Sequence, residues 1–561
     1  MRTLRNSSLC ILHFTLLCSE CAAGQRILGA NDFSYYRWNG QEGTFMMRTV
    51  SVTTNLAVRQ RFWKGVATDK VPVIYQLTFP KVPGWIQKLP KTPAEAVAAI
   101  DALFAPGEGV EPCPEKLFAV TPCEENVTWD GQTEVQDAII RHLNGRYGVK
   151  VYQWLTEPYK PILDFPADGW VFDAYHVQDP QKFYAHVESF ILTGVPVVPC
   201  IWAAGHSSKY HLDKTWDELT RFTVERMDIC RALDLPVMVF AVAGKMGSVG
   251  LWFRDADDPG ERYYRETIKR YLAAVPTMPK ASWKPATKRW RASVMADGSA
   301  AARVNLKSFE LVHETEFDDV RAWKLGKDGL SLVRERGRLI WRLDAPSRIR
   351  KGRFSLRHSQ GANGTFCGRP LSPSGLTEVE ATDFHSRLVV LEAQSPLTLY
   401  ELTLSGEGEY AVESIDLKPE SPEQGAAYRR KVRFDASEGE LHPEAGRVVR
   451  RRIIRRLPLP GCAGKITLLA DMLAERAHGG SATISVFPSL DGKAPIATVK
   501  ADSSKRFQKP TIDIDVAAGT DDMYVAFDMV AASGFKAKQL AVKLYYCDFT
   551  FQPSKPLTTS H

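Results

Sequence analysis

Short apolar runs alternate with helix-like segments between residues 27 and 276, and this alternation constrains the fold more than any other feature of the chain. The runs are nearly continuous in apolar residues, which is typical of strands buried on both faces of a parallel sheet. A first strand is predicted at Arg26–Phe33. The later runs are Val71–Phe79, Lys116–Thr121, Val149–Leu155, Gly169–Asp173, Val195–Trp202 and Leu235–Val242.

The segments between these runs carry the start and stop signals of helices. Thr92-Pro93-Ala94-Glu95 and Thr215-Trp216-Asp217-Glu218 each have the sequence of a capping box. Asp179-Pro180 and Asp258-Pro259 each place a capping carboxylate before a proline, and Gly194 is suited to end a helix. Such alternation predicts right-handed crossovers. A length of about 250 residues favours a (β/α)8-type barrel over an open doubly wound sheet.

Two stretches depart from the pattern of an ideal barrel. The stretch between Leu155 and Gly169 is too short for a full helix and contains three prolines. Gly247–Phe253 is the candidate eighth strand, but it follows Leu235–Val242 too closely for a helix to lie between them. We therefore expect a distorted or incomplete barrel over residues 25–276.

The hydrophobic period changes after residue 276. Residues 277–304 are rich in proline and basic residues and are assigned to a linker. From residue 305 onward short alternating strands are separated by turn pairs such as Asp328-Gly329 and Asp491-Gly492, as in antiparallel sandwiches. We expect two β-sandwich domains, at 305–421 and 422–561, with the second a candidate carbohydrate-binding domain. The predicted fold class is therefore multidomain, α/β followed by all-β.

Residues 1–24 have the sequence of a secretory signal peptide. Arg2 and Arg5 precede the apolar core Leu9–Cys18, and the small residues Ala22-Ala23-Gly24 follow it. An apolar core of this length is shorter than the roughly 20 residues that a membrane-spanning helix needs. We expect a secreted or periplasmic protein with no integral membrane segment after cleavage.

Charge and motifs exclude several classes of function. The net charge is +7 from 72 basic and 65 acidic residues, which is mild for 561 residues and does not favour nucleic-acid binding. No motif for nucleotides or zinc proteases is present, and no C-x-x-C pattern follows the signal, so we predict neither a cofactor nor a metal site. Seven cysteines remain after the signal, and an odd number cannot all pair; Cys113 and Cys123 could form a short-loop bridge.

Carboxylates and aromatic residues alternate where the predicted strands end. Function in a barrel lies at the carboxyl ends of its strands, so these residues are the candidate site. Sugars present CH faces that stack on aromatic rings, and cleavage of a glycosidic bond needs one carboxyl as acid and another as base or nucleophile. The candidates are Asp32, Tyr36, Glu125, Trp129, Glu157, Asp173, Tyr175, His176, Trp202, His206 and Lys245.

This arrangement resembles that of secreted TIM-barrel glycoside hydrolases with appended β-sandwich domains. In the large clan with catalytic residues on strands four and seven, strand four ends in the acid/base glutamate, and Glu157 matches that position. The clan's second glutamate ends strand seven, where this chain has Ala241-Val242-Ala243-Gly244-Lys245. The resemblance therefore implies a glycosidase fold and an acid/base role for Glu157, and it supplies no second catalytic residue.

The second carboxylate is assigned from the residues themselves. Asp173 is the candidate nucleophile or base, and Glu125 is an alternative for either role. Asp173 could equally form a buried salt bridge, because a carboxylate in an apolar strand needs a partner or a polar surrounding. The other eight candidates are assigned to binding the sugar chain.

Two other functions remain open from the sequence. The absent strand-seven glutamate would suit a non-catalytic glycan-binding surface protein on a degenerate barrel. A polysaccharide lyase acting on uronate polymers, with Lys245 or His176 as base, is a further alternative.

The densest basic cluster consists of Arg447, Arg450–Arg452, Arg455 and Arg456. One interpretation is a solvated edge strand whose charges discourage aggregation. The other is contact with an anionic polysaccharide or an anionic cell surface. The predicted partner is therefore a polysaccharide or oligosaccharide, with an anionic substrate as an open alternative.

Overall fold

A computed structural model describes most of the chain between residues 33 and 554. The described residues form two compact units. The first contains the described residues up to Thr287 together with Lys307–His313 and Phe317–Gly337, and the second contains Lys288–Leu306, Glu314–Glu316 and the described residues from Arg338 onward. The described ranges are 33–36, 44–52, 54–69, 73–79, 89–122, 133–155, 161, 166–174, 177–202, 214–240, 258–274, 277–295, 298–410, 412–423, 425–443, 448–475, 479–492, 494–501, 507–532 and 540–554.

The first unit is built on one sheet of eight strands with helices between most of them. The strands are β1 (Phe33–Tyr36), β2 (Thr44–Ser51), β3 (Val73–Thr78), β4 (Ala119–Thr121), β5 (Tyr152–Leu155), β6 (Gly169–Asp173), β7 (Val197–Trp202) and β8 (Val237–Phe240). The helices are α1 (Leu56–Thr68), α2 (Pro93–Phe104), α3 (Thr133–Tyr147), α4 (Pro180–Ile191), α5 (Trp216–Ala232) and α6 (Pro259–Ala274).

The strand order of this sheet is β4-β3-β2-β1-β8-β7-β6-β5. The two ends of that order also meet, because Val120 on β4 forms a parallel bridge with Val151 just before β5. The amide of Val120 donates to the carbonyl of Lys150 at 2.9 Å in this contact. Neighbouring strands are parallel except at β1, which is antiparallel to both β2 and β8.

The antiparallel β1 corrects the expectation of a purely parallel sheet. The structure places this strand at Phe33–Tyr36, while most of the predicted Arg26–Phe33 lies outside the described residues. Strand β2 was not expected from the sequence, because Thr, Arg and Ser interrupt its apolar run. The candidate strand Gly247–Phe253 also lies outside the described residues.

Two apolar cores lie on opposite faces of the eight-stranded sheet, since side chains alternate along each strand. One core lies on the face turned away from helices α1, α2 and α3, which is called the inner face. This core contains Ile74, Ala119, Tyr152, Trp154, Val171, Val198, Cys200 and Met238. On the other face, strand residues such as Tyr75, Leu77 and Val120 pack with helices α1, α2 and α3.

The helix starts confirm the capping signals. The Thr215 hydroxyl accepts from the Glu218 amide at 3.2 Å, and the Glu218 carboxylate accepts from the Thr215 amide at 2.8 Å. Asp179 accepts from the Gln181 amide at 2.8 Å, and Asp258 accepts from the Glu261 amide at the same distance. These local bonds fix where α4, α5 and α6 begin.

The second unit consists mainly of antiparallel sheets. The elements from residue 290 onward are β9 (Trp290–Arg291), β10 (Ser293–Val294), β11 (Ser299–Val304), β12 (Glu316–Phe317), β13 (Trp323–Leu325), β14 (Leu330–Leu332), β15 (Arg336–His358), β16 (Asn363–Phe366), β17 (Arg369–Pro370), β18 (Leu376–Gln394), β19 (Leu397–Gly408), β20 (Glu413–Ser414), β21 (Lys418–Pro419), β22 (Tyr428–Arg433), α7 (Ala436–Gly439), β23 (Glu440–Leu441), β24 (Val449–Pro458), β25 (Gly464–Ala474), β26 (Gly480–Phe487), β27 (Ala497–Lys500), β28 (Phe507–Gln508), β29 (Thr511–Val516), β30 (Asp522–Ala531) and β31 (Val542–Pro553). Of these, β13 and β14 belong to the first unit. One sheet runs in the order β10-β11-β19-β15-β18-β16-β17, a second in the order β20-β24-β30-β26-β27, and a third in the order β21-β22-β31-β25-β28.

The second and third of these sheets share one apolar core, with side chains such as Leu457, Leu468, Phe527 and Phe549 buried in it. Strands also occupy the second half of the segment assigned to a linker, 277–304. Strand β11 pairs with β19 along its whole length and alternates exposed and buried residues. The sequence does not indicate this strand clearly, because two of its three buried positions hold alanine, which is depleted in strands. The boundary between two sandwich domains at 421 and 422 stays a prediction.

Two further sequence expectations concern cysteines and the membrane. Cys113 is a free thiol, and its predicted partner Cys123 lies outside the described residues, as does the predicted signal peptide. Within the part of the chain that the structure describes, no helix is long and apolar enough to cross a bilayer.

Candidate active site

Asp173 is the last residue of β6 and lies at the carboxyl end of the parallel strands. It is in register with Cys200 on β7, which in turn is in register with Met238 on β8. Because Val171, Cys200 and Met238 belong to the inner core, Asp173 lies on the inner face of the sheet. Its side chain is only 3% exposed. The structure thus places this carboxylate at the carboxyl end of the apolar core on the inner face.

Trp202 ends the neighbouring strand β7, two residues beyond Cys200, and therefore faces the same side of the sheet. It is 1% exposed, and its backbone carbonyl accepts from the Thr223 hydroxyl of α5 at 3.2 Å. Asp173 and Trp202 are the two predicted site residues whose side chains the structure describes, and it brings them to one end of one sheet.

Two more buried polar residues lie on the inner face at this end of the sheet. Gln76 on β3 and Thr121 on β4 are register partners, and each follows an inner-core residue, Ile74 or Ala119, by two positions. Both are buried. Neither residue is among those predicted from the sequence. The signal that could have identified them is a polar residue two positions after an inward-facing apolar residue of the same strand.

The inner face therefore changes from apolar to polar toward the carboxyl ends of the strands. Nearer the amino ends of the strands this face carries Ile74, Trp154 and Val198. Nearer the carboxyl ends it carries Gln76, Thr121 and Asp173. Burying polar groups is costly unless they find partners, and none of these three side chains is without one. Charged and polar groups in such a water-poor site interact more strongly with a substrate than they would in water.

Tyr36 corrects one site prediction. Since β1 is antiparallel, its last residue lies beside Val237, which opens β8, and beside Thr44, which opens β2. Tyr36 is therefore at the amino end of the parallel strands, away from Asp173. The prediction assumed that β1 runs parallel to its neighbours, as in a regular barrel. The candidates Asp32, Glu125, Trp129, Glu157, Tyr175, His176, His206 and Lys245 lie outside the described residues.

The described backbone that follows Asp173 is held by hydrogen bonds. The amide of Ala174 donates to the carbonyl of Cys200 at 3.0 Å, and the amide of Val177 donates to the carbonyl of Ala174 at 3.3 Å. Two residues later Asp179 caps helix α4. These bonds fix Ala174, Val177 and the start of α4.

The arginines of the basic cluster from Arg450 to Arg456 lie on β24, whose side chains alternate between two environments, whereas Arg447 lies outside the described residues. On the outer face, Arg452 pairs with Asp528 and Arg456 with Asp522, each through two guanidinium–carboxylate bonds of 2.7–3.0 Å. The bond to Asp528 raises the pKa of Arg452. Each of these two guanidinium charges is therefore balanced by a carboxylate of the neighbouring strand β30.

On the inner face of β24, Arg455 is buried and binds Glu438 through 2.8 and 3.0 Å contacts and Glu413 at 3.3 Å. Arg451 donates to the backbone carbonyls of Glu438 and Glu440 at 2.7 and 2.8 Å, and burial lowers its pKa. A cavity of about 30 Å³ adjoins these groups. At roughly 10–15 Å³ for each water, it has room for water molecules and not for a sugar ring.

No group of three or more His, Cys, Asp or Glu side chains in the described ranges is arranged to hold a metal ion. The candidate site for chemistry among the described residues is the carboxyl end of the eight-stranded sheet, where a buried carboxylate, a tryptophan and two neutral hydrogen-bonding side chains share one face.

Comparison with known proteins gives the following similarities. The protein BuGH86 in complex with neoagarooctaose has a TM-score of 0.26 and 11% identity, with 90% of this chain and 85% of that chain covered. A beta-porphyranase of glycoside hydrolase family 86 from the human gut bacterium Bacteroides plebeius has a TM-score of 0.22 and 9% identity, with 96% and 90% covered. An isomalto-dextranase from Arthrobacter globiformis complexed with panose has a TM-score of 0.15 and 9% identity, with 76% and 73% covered.

No protein-family model and no curated protein sequence matches this chain. The TM-scores of these similarities are all below 0.5. The proposals below therefore rest on the chain's own residues.

Proposed function

We propose that this protein is a secreted glycoside hydrolase that cleaves a polysaccharide or oligosaccharide by carboxylate catalysis. The observation that carries the proposal is the buried Asp173 at the carboxyl end of the parallel strands, beside the end of β7 where Trp202 lies. The sheet that supports it is proposed to be a distorted (β/α)8 barrel, because its strand order returns to β4 through the Val120–Val151 bridge.

The residues at this end of the sheet suit the binding of a sugar. Trp202 is proposed to stack on the CH groups of a pyranose ring, which requires that the sugar displace the groups that now bury its indole. Gln76 and Thr121 carry one amide and one hydroxyl, groups that can exchange their present partners for sugar hydroxyls. A neutral saccharide is favoured over a polyanion, because three arginines of β24 already have carboxylate partners.

The catalytic roles keep the assignment made from the sequence. Asp173 acts as nucleophile or base, Glu157 as general acid, and Glu125 as the alternative for either role. A pair of carboxyls about 5 Å apart would retain the anomeric configuration, and a pair about 6.5–9.5 Å apart would invert it. The second β-sandwich is proposed to bind carbohydrate.

The proposal is tested by screening the parent and the Asp173→Asn variant for new reducing ends on neutral, sulfated and uronate-containing polysaccharides. Asp217→Asn is the matched control, because it makes the same chemical change at an exposed position of α5. We expect the parent and Asp217→Asn to turn over one polysaccharide equally. Asp173→Asn should lose about 10²-fold or more in kcat, because loss of a positioned acid or base has that effect.

Three results would contradict parts of this proposal. Absence of turnover on every polysaccharide, with binding retained, would indicate a glycan-binding protein instead. Products with the ultraviolet absorbance of an unsaturated uronate would indicate a lyase. An Asp173→Asn variant that is folded by circular dichroism and as active as the parent would remove Asp173 from the chemistry.

A further inference from the structure

The loop after β6 is held by a buried arginine from another element. This β6–α4 loop, residues 174–179, begins next to Asp173 and includes Tyr175 and His176, both proposed to bind sugar. The described ends of the loop are fixed by the Ala174–Cys200 and Val177–Ala174 backbone bonds and by the Asp179 cap. Arg226, on helix α5, contacts the loop between these points.

Arg226 binds two consecutive carbonyl groups of the β6–α4 loop. Its Nε and Nη2 atoms each donate to the Val177 carbonyl at 3.2 Å, and Nη2 also donates to the Gln178 carbonyl. Its Nη1 atom donates to the Phe222 carbonyl of its own helix at 3.1 Å. The planar guanidinium thus joins the loop to α5 through several bonds of fixed direction, which a single ammonium could not reproduce.

The surroundings of Arg226 keep this side chain in one place. It is 1% exposed, and its guanidinium carbon lies 3.9 Å from the centre of the Phe222 ring, which suits a cation–π contact. Burial lowers its pKa to about 10, so it still carries its charge at neutral pH. A Glu225 carboxylate oxygen lies 3.4 Å from Nη1 and partly balances that charge.

Burial of a charged group is costly, so the bonds that it makes indicate why it is tolerated. Arg231, on the same helix and also buried, provides a comparison. It pairs with Asp228 at 2.8 Å and donates to the Pro279 carbonyl. Arg231 therefore bonds to its own helix α5 and to the segment that follows α6. Most bonds of Arg226, in contrast, go to the loop beside Asp173.

We propose that Arg226 is a positioning residue, which holds Val177 and Gln178 of the β6–α4 loop so that the neighbouring Asp173 keeps a fixed geometry. This inference rests on the proposed function at Asp173. It follows the general rule that reacting groups lose efficiency when their supports loosen, since a displacement of about 1 Å can cost about 10²-fold in rate.

The test compares Arg226→Lys with the matched control Arg231→Lys. Both variants keep a positive charge on a buried position of α5, but only the first loses the two-carbonyl contact with the loop. Hydrogen exchange is measured at the amides of Ala174 and Val177, together with kcat and KM on the polysaccharide that the parent cleaves. We expect Arg226→Lys to speed exchange at these amides and to lower kcat about tenfold or more with a smaller change in KM.

The two readouts separate failure of this inference from failure of the proposed function. Faster loop exchange in Arg226→Lys, and not in Arg231→Lys, together with the selective loss of kcat, supports the inference. Unchanged loop exchange in Arg226→Lys, or equal changes in both variants, overturns it whatever the activity. Faster exchange with unchanged kcat also overturns it. If the parent cleaves no polysaccharide, the proposed function fails and with it the catalytic role of Arg226, while the exchange rates still decide whether Arg226 holds the loop.

Discussion

Replacing Gly169 with alanine tests the packing beneath the candidate site. Gly169 opens β6 and is in register with Tyr152 on β5, whose ring belongs to the inner core. A Cβ atom at Gly169 would lie 2.7 Å from Cζ of Tyr152 and 2.8 Å from both Cε atoms. The methyl group would therefore overlap the ring, and the ring is buried and has little room to move.

The expected cost follows from two opposing effects. Overpacking a core costs about 1–3 kcal/mol, because side chains leave their rotamers or the backbone shifts. Replacing a glycine inside a strand recovers about 0.5–1 kcal/mol of backbone entropy. The middle of each range leaves a net loss of about 1 kcal/mol for Gly169→Ala. Each kcal/mol lowers the Tm by about 2–4 °C for a domain of this size class.

Calorimetry is the suitable assay, because the two compact units can unfold in separate transitions. Gly145→Ala is the control, because it should raise the free energy of unfolding instead of lowering it. Gly145 lies in helix α3, is exposed, and a Cβ atom there would meet nothing within 4 Å. Alanine should stabilise the helix by about 1 kcal/mol at that position.

A double variant makes the test specific to the contact with Tyr152. If the alanine methyl overlaps the ring, Gly169→Ala combined with Tyr152→Leu should lose less stability than the sum of the single losses. Strictly additive losses, or a Gly169→Ala protein as stable as the parent, would refute the packing of β5 against β6 on the inner face. The interior proposed to support Asp173 would then be wrong as well.

Two smaller predictions concern a helix cap and a surface carboxylate. Thr215→Ala removes the hydroxyl that accepts from the Glu218 amide and should cost about 1 kcal/mol by calorimetry, whereas Thr215→Ser should keep most of it; equal losses would contradict the cap. The contact with His442, helped by Lys543 at 2.5 Å and opposed by burial, lowers the pKa of Glu440 from 4.5 to about 2. A carboxyl with a lowered folded-state pKa stabilises above its unfolded pKa and loses that contribution as the pH falls through its folded pKa. Urea unfolding should therefore show up to about 3 kcal/mol lost between pH 4.5 and 2, and Glu440→Gln should abolish this part of the pH dependence; an unchanged pH profile would contradict it.

The positions of most elements follow from the sequence, because the signals are local. The apolar run Gly169–Asp173 is a strand with those same bounds, and Thr215 and Asp179 cap the helices that their sequence motifs predict. Local hydrogen bonds and side-chain alternation act over three or four residues, so they can be recognised without knowing the fold.

Features that depend on partners distant in sequence were missed or misplaced. Strand β1 runs antiparallel, which moved Tyr36 to the opposite end of the sheet from Asp173. Ser299–Val304 became a strand because β19, about a hundred residues later, offers it an edge. The direction and pairing of a strand are set by its neighbours, and neither is encoded in its own residues.

The sequence by itself determined the alternation of strands and helices, the change to antiparallel sheets, and the choice of Asp173 and Trp202 as residues at strand ends. The tertiary structure decided that these two share one end of one sheet with Gln76 and Thr121, that three of the β24 arginines pair with carboxylates, and that Arg226 reaches the loop after β6. The physical reason is that alternation fixes which face a residue occupies, whereas register and sheet order fix which residues meet on that face.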